Sequence, residues 1–162
     1  MGVGMATVYV ETSIIGYLTA RSRDAVIFRA RQELTRKWWH NRRVQYELVI
    51  SQLVLDEAAR GDDEAAAERL RLLAGIPLLR TEDPRIDAIT DDLLAARLLP
   101  EKARSDAMHV AVATAHAVDY LLTWNCKHIA NADTLPKVYR LLTAMGYSPP
   151  LNVTPEEFSQ YV

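Results

Sequence analysis

Cysteine is almost absent from this sequence, since Cys126 is the only one among 162 residues. A single cysteine excludes a disulfide within the chain and a cysteine-rich zinc site. A domain of this length needs neither, because it can bury about 70% of its unfolded surface. The scarcity of cysteine is typical of proteins from a reducing compartment.

Long hydrophobic runs are also lacking. No stretch approaches the ~20 apolar residues that cross a bilayer. Residues 1–9 do not contain the basic stretch followed by an apolar run that marks a secretory signal. We therefore expect a cytoplasmic protein without a membrane segment.

The sequence also lacks an excess of positive charge. The 19 basic and 21 acidic residues leave a net charge of -2, so overall electrostatics cannot attract the chain to RNA. Any such binding needs a local patch. One candidate surrounds Trp38 and Trp39. It consists of Arg29, Arg31, Arg36, Lys37, Arg42 and Arg43. A solvated helix face with a tryptophan packed inward explains the same cluster equally well.

Short β-rich apolar runs alternate with longer helical stretches, which is typical of a parallel sheet covered on both faces. We therefore predict an α/β fold with a mostly parallel sheet of four to five strands, forming one domain over residues 1–162. The predicted strands are 7–10, 46–50, 77–79, 120–122 and, more weakly, 151–153. The predicted helices are 24–43, 51–60, 63–74, 84–98, 105–117 and 134–145. Thr154, Pro155 and Glu157 form a capping-box pattern that predicts a last helix.

Carboxylates follow two of the strands, where ligands bind in an open α/β sheet. Glu11 comes directly after the first strand, and Thr12 and Ser13 can cap the next helix with their hydroxyls. A carboxylate at this point could instead only favour the N-terminus of that helix. Glu57 lies on the helix after the second strand, on a face predicted to point toward the sheet. Its partner there could be a metal ion or Arg60, one turn away.

A third acid, Asp106, begins the helix predicted from residue 105, where most aspartates only cap the helix. His109 and His116 lie on or near the same helix. Histidines on a buried helix are more often hydrogen-bonded core residues than metal ligands, so we place both outside the site.

Polar residues also follow the fourth strand. Thr123 and Asn125 can hydrogen-bond a bound water or a carboxylate, whereas Lys127 and His128 could contact a phosphate. The alternative is an ordinary turn, which asparagine suits.

Taken together, these segments resemble the successive motifs of the PIN-domain family, and in particular its VapC-like toxins. They are VETSII at 10–15, SQLVLDE at 51–57, SDAMH at 105–109 and LLTWN at 121–125, and TWNCKHIANA at 123–132 resembles one bacterial branch. The resemblance implies a three-layer α/β/α nuclease fold that binds Mg²⁺ or Mn²⁺ and cleaves RNA. It also implies a small antitoxin protein as partner and makes a homodimer plausible.

Carried onto this chain, the family's acidic residues correspond to Glu11, Glu57, Asp106 and Asn125. Two of these differ from the family pattern, because Glu11 replaces an aspartate and Asn125 replaces an acid. Three carboxylates attract a second cation less well than four, so we expect one metal ion, with Thr12, Ser13, Thr123 and Lys127 as supporting residues. Repulsion among the three acids should raise their pKa values. The two departures leave open a catalytically weakened or inactive RNA- or partner-binding module.

Overall fold

The computed structural model describes residues 4–21 and 23–158. Its centre is a sheet of five parallel strands in the order β3-β2-β1-β4-β5. The strands are β1 (Thr7–Val10), β2 (Glu47–Ser51), β3 (Leu78–Leu79), β4 (Tyr120–Leu122) and β5 (Leu151–Val153). Three of them, β1, β4 and β5, have the predicted bounds.

Helices make all the connections between these strands. They are α1 (Thr12–Thr19), α2 (Val26–Lys37), α3 (Gln52–Ala58), α4 (Asp63–Leu73), α5 (Pro84–Ala95), α6 (Arg104–Ala115) and α7 (Leu135–Ala144). Over the described ranges, none of them is long and apolar enough to span a bilayer. For helix α1, the sequence predicts only that a helix follows Glu11, without its bounds.

The strand order explains why the helices form two layers. From β1 to β3 the chain moves toward one edge of the sheet, and from β4 to β5 it moves toward the other. Because parallel crossovers are right-handed, the two directions place their helices on opposite faces. The helix contacts agree, since α1 packs against α2, α3 and α4, whereas α5 packs against α6 and α7. The predicted three-layer α/β/α class is confirmed.

The central strand β1 is buried on both faces, with Val8, Tyr9 and Val10 fully inaccessible. Tyr9 lies in register with Val49 of β2 and Leu121 of β4. Residues in register share a face of the sheet, and the Tyr9 side chain reaches α6. The hydroxyl of Tyr9 is therefore on the side of the α5–α7 layer.

The predicted helix over 24–43 is present, but its type changes after Lys37. It begins at Val26, becomes a π-helix over Trp38–Arg42 and ends in a 3₁₀ turn. A π-turn holds more residues per turn than an α-helix, so neighbouring side chains project at a smaller angle. Trp38 and Trp39 are both buried in the core this way. The interpretation of this segment as a helix with a tryptophan packed inward is therefore confirmed.

The capping box near the C-terminal end is present without a long helix. The Thr154 backbone N–H and hydroxyl both donate to the Glu157 carboxylate, and the Glu157 N–H donates back to the Thr154 hydroxyl. Residues 155–158 form a turn, and any continuation of the predicted helix lies outside the described residues.

Candidate functional site

The candidate site lies where β1 and β4 end, at the point where the strand order reverses. The Glu11 N–H continues the ladder by donating to the Leu122 carbonyl over 3.1 Å, and the Thr123 N–H donates to the Val153 carbonyl over 2.9 Å. Glu11 and Thr123 therefore leave two adjacent central strands side by side. This reversal point is the usual ligand-binding crevice of an open α/β sheet.

Glu11 is a buried carboxylate with a donor on each oxygen. Its Oε2 accepts from the Ser13 N–H over 2.6 Å, and its Oε1 accepts from the Thr123 hydroxyl over 2.6 Å. Glu11 is also the N-cap of α1, so the helix-terminus role considered for it is real. Only 5% of the residue is exposed, so Glu11 is a buried carboxylate, unlike the helix-capping acids at a protein surface.

Glu57 is held by three side chains from two helices. Its Oε1 accepts from the Thr12 hydroxyl over 2.9 Å and from His109 Nε2, and its Oε2 accepts from the Ser105 hydroxyl over 3.2 Å. Its side chain is 20% exposed, as expected for the inward face of α3. Arg60, considered as a partner, is exposed and touches Glu57 only through the backbone.

The pKa of Glu57 moves in the direction opposite to our expectation. Burial acts to raise it, but the hydrogen bond from His109, together with those from the hydroxyls of Thr12 and Ser105, outweighs burial and lowers it. The expected rise from repulsion among acids is therefore wrong for this residue. Glu57 is held as a carboxylate by donors.

Placing His109 outside the site was wrong. The residue is buried, with 1% of its side chain exposed, and it is a hydrogen-bonded core histidine as expected. Its bond, however, is to Glu57, and its Nδ1 lies 2.7 Å from the Tyr9 hydroxyl, which lies 2.8 Å from the Ser51 hydroxyl. His116 does lie elsewhere and bonds the Arg80 carbonyl.

One signal in the sequence could have identified His109. It follows Asp106 by three residues and Ser105 by four, which places all three on one face of α6. The other half of the contact, Tyr9, is distant in sequence and is the central residue of a buried strand. Burial raises the pKa of Tyr9, the bond with Ser51 opposes this, and the charges of Glu11 and Glu57 raise it further.

Asp106 lies in the first turn of α6 and is partly buried. Across residues 4–21 and 23–158, its carboxylate takes part in no hydrogen bond or ion pair. It is the one acid of the three whose oxygens are not already satisfied by a described neighbour.

The chemistry of these donors suits a hard cation, because Mg²⁺ and Mn²⁺ prefer carboxylate oxygens. In the part of the chain that is described, however, no three His, Cys, Asp or Glu side chains are grouped closely enough to hold a metal ion. Glu11 and Glu57 instead turn toward protein donors. A cation shared by Glu11, Glu57 and Asp106 stays a prediction.

The polar residues after β4 have structural contacts of their own. Ser13 accepts from the Trp124 N–H over 2.8 Å. Asn125 donates its N–H to the Thr123 hydroxyl, and its Oδ1 accepts from the His128 N–H over 3.0 Å. Asn125 thus closes a turn, which is the alternative considered for it. Lys127 is exposed.

A cavity of about 740 Å³ lies beside the site, between α1 and the start of α4. On α1 it begins at Gly16, one turn after Thr12 and on the same helix face. Its charged lining consists of Arg21, Arg23, Arg69, Asp62 and Glu64. The guanidinium of Arg69 donates to the backbone carbonyls of Ala58 and Arg60.

The chain is similar to a known protein in its fold but not in its sequence. No protein-family model matches the chain. Curated proteins likewise give no significant match. The structure is similar to a chain of the crystal structure of VapBC2 from Rickettsia felis bound to a DNA fragment from their promoter. The TM-score is 0.52 at 15% identity, over 91% of this chain and 98% of the other, which shows a shared fold.

Proposed function

We propose that this chain is a metal-dependent endoribonuclease and the toxin of a toxin–antitoxin pair. One observation carries the proposal: two acids, Glu11 and Glu57, flank Thr12 at the carboxyl edge of the central strands, since Glu11 precedes Thr12 in the chain and Glu57 accepts from the Thr12 hydroxyl over 2.9 Å. Asp106, in the first turn of α6, has no hydrogen-bond or ion-pair partner among the described residues and is therefore available to a ligand. The shared fold with a VapBC2 chain supports the same conclusion.

Glu11, Glu57 and Asp106 are the residues that would hold the cation, and the neutral Asn125 favours one ion over two. When bound, Mg²⁺ or Mn²⁺ would polarise the phosphate and lower the pKa of a bound water. The hydroxyls of Thr12 and Thr123 each hold one of these carboxylates in place. These contacts limit the reorganisation that the acids need before they act.

Substrate binding is assigned to the cavity of about 740 Å³ beside the site. The chain carries a net charge of -2, so attraction to RNA must be local. Arg21 and Arg23 are exposed at this cavity, and Arg23 also lies 5.0 Å from the Phe28 ring. An arginine near an aromatic ring suits a single strand, which offers phosphates and base faces together.

Combined replacement Arg21→Ala/Arg23→Ala is expected to raise KM for RNA several-fold with little change in kcat. Each lost phosphate contact should also reduce the slope of log KM against log salt by about 0.7 to 1. Steady-state cleavage at several salt concentrations measures both quantities. Arg140→Ala, at an exposed arginine on α7, is the matched control and should change neither. A lower kcat with unchanged KM would argue against this substrate path.

RNA cleavage by the purified chain tests the function itself. We expect products from mixed RNA with Mg²⁺ or Mn²⁺ and none with EDTA. Either cation should also raise the melting temperature, because a ligand at 100 times its Kd stabilises the folded state by about 2.7 kcal/mol. If neither cleavage nor a thermal shift occurs with any divalent cation, the proposed nuclease is wrong.

The alternative, an inactive binding module, is favoured by the absence of a preformed metal group among the described residues. Such a module would bind RNA or a protein without cleaving it. Binding of RNA at unchanged length in the same assay, with or without cation, would support this second function over the first.

A protein partner of the antitoxin kind is proposed for the start of α2. Val26 and Ile27 are 72% and 71% exposed there, and they line a groove of about 490 Å³ with Trp124. Adjacent exposed aliphatic side chains are typical of interaction surfaces. The chain mass in solution, with and without the product of the neighbouring gene, distinguishes this heteromeric partner from a homodimer. A monomer in both samples would refute both.

A further inference from the structure

We propose that His109 is a positioning residue for Glu57: its Nδ1 accepts from the Tyr9 hydroxyl, and its Nε2–H donates to the Glu57 carboxylate. The consequence for catalysis rests on the function proposed above. The orientation of the ring does not, because it follows from contacts within this chain alone.

The direction of each hydrogen bond follows from the atoms involved. A carboxylate oxygen can only accept, so the Nε2 facing Glu57 carries a hydrogen. If the ring carries only this one N–H, Nδ1 is an acceptor for the Tyr9 hydroxyl at 2.7 Å. Tyr9 has then used its single hydrogen and accepts from the Ser51 hydroxyl at 2.8 Å. The donors thus run in one direction, from Ser51 through Tyr9 and His109 to Glu57.

The ring of His109 has little freedom to turn. Both of its nitrogens have partners, and it packs edge-on against Tyr9 with ring centroids 5.7 Å apart and an interplanar angle of 64°. Ser51 is fully buried, as is the Tyr9 ring. Glu57, by contrast, is partly exposed on the short helix α3. A rigid, buried donor therefore fixes a carboxylate that faces the proposed site.

A purely structural role would place His109 in the same contacts, so the test needs two readouts. His109→Leu is expected to lower kcat about 10- to 100-fold with unchanged KM for RNA, the usual scale for losing an outer hydrogen-bond partner. His109→Gln should recover most of that loss, because its amide N–H₂ can reach Glu57. His116→Leu, the matched replacement outside the site, should leave kcat unchanged. Rates are compared per folded protein, measured by thermal melting.

The second readout is ¹⁵N NMR of histidine-labelled protein, which reports the hydrogen on each ring nitrogen. We expect the Nε2–H tautomer for His109 in the wild type, and a population of the Nδ1–H tautomer after Glu57→Gln replaces the carboxylate by an amide that can donate to Nε2. An Nδ1–H ring or a doubly protonated ring in the wild type would overturn the assignment. So would equal kcat losses in His109→Leu and His109→Gln. If the wild type cleaves no RNA, the proposed function fails, while the NMR result still decides the orientation.

Discussion

Asp106→Asn is expected to lower RNA cleavage about 100-fold or more while leaving the melting temperature in the absence of a cation unchanged. The replacement keeps the size of the side chain and removes its charge. Among the described residues the Asp106 carboxylate makes no hydrogen bond or ion pair, so the fold loses no contact. The proposed reaction, in contrast, would lose one of the three residues proposed to hold the cation, and the cation's stabilisation of the transition state is worth several kcal/mol.

Asp92→Asn on α5 is the matched control, because the same substitution there affects an exposed side chain. Single-turnover cleavage of one RNA by wild type and both variants, with Mn²⁺ in excess, measures the effect. Full activity in Asp106→Asn would remove this residue from the site. A large fall in both variants would show that general charge, rather than this carboxylate, controls cleavage.

The sheet was largely predictable because its strands are locally encoded. β1 is a run of β-branched and aromatic residues that is followed by the charged Glu11, and β4 is a short apolar run that is followed by the polar Thr123. The change of helix type after Lys37, within the predicted 24–43 helix, was not predictable in this way. The π-turn allows two adjacent tryptophans, Trp38 and Trp39, to be buried together. Which side chains are buried together depends on tertiary packing, and a local sequence pattern does not contain that information.

The residues of the candidate site also differ in whether a local sequence pattern identifies them. Glu11 and Glu57 were identified because strand ends and helix faces can be read from short segments. The partner of Glu57 was not, because His109 follows it by 52 positions and Tyr9 precedes His109 by 100. The sequence pattern marks each residue as buried but does not pair them. Asn125 illustrates the converse, since its turn-forming role was a local alternative and is the contact observed.

The core between α5 and α6 contains the position with the largest expected effect on stability. Ile86, Ile89 and Leu93 form one stripe along α5 and are 1%, 0% and 0% exposed. Helix α5 packs against α6, which is buried over nearly its whole length from Ala107 to Ala115. Because these three side chains are enclosed, truncating one of them leaves a cavity that the surroundings cannot fill by small movements.

Ile89→Ala is accordingly expected to destabilise the fold by about 2–5 kcal/mol, the range for deleting a buried isoleucine. In a chain of this length that corresponds to a fall in melting temperature on the order of 10 °C. Ile27→Ala is the matched control, because Ile27 is 71% exposed, and it should change stability by no more than about 0.5 kcal/mol. Urea unfolding of both variants measures the difference. Equal losses in the two would contradict an α5–α6 core that is closed to water, and with it the rigid platform on which α6 carries Ser105, Asp106 and His109.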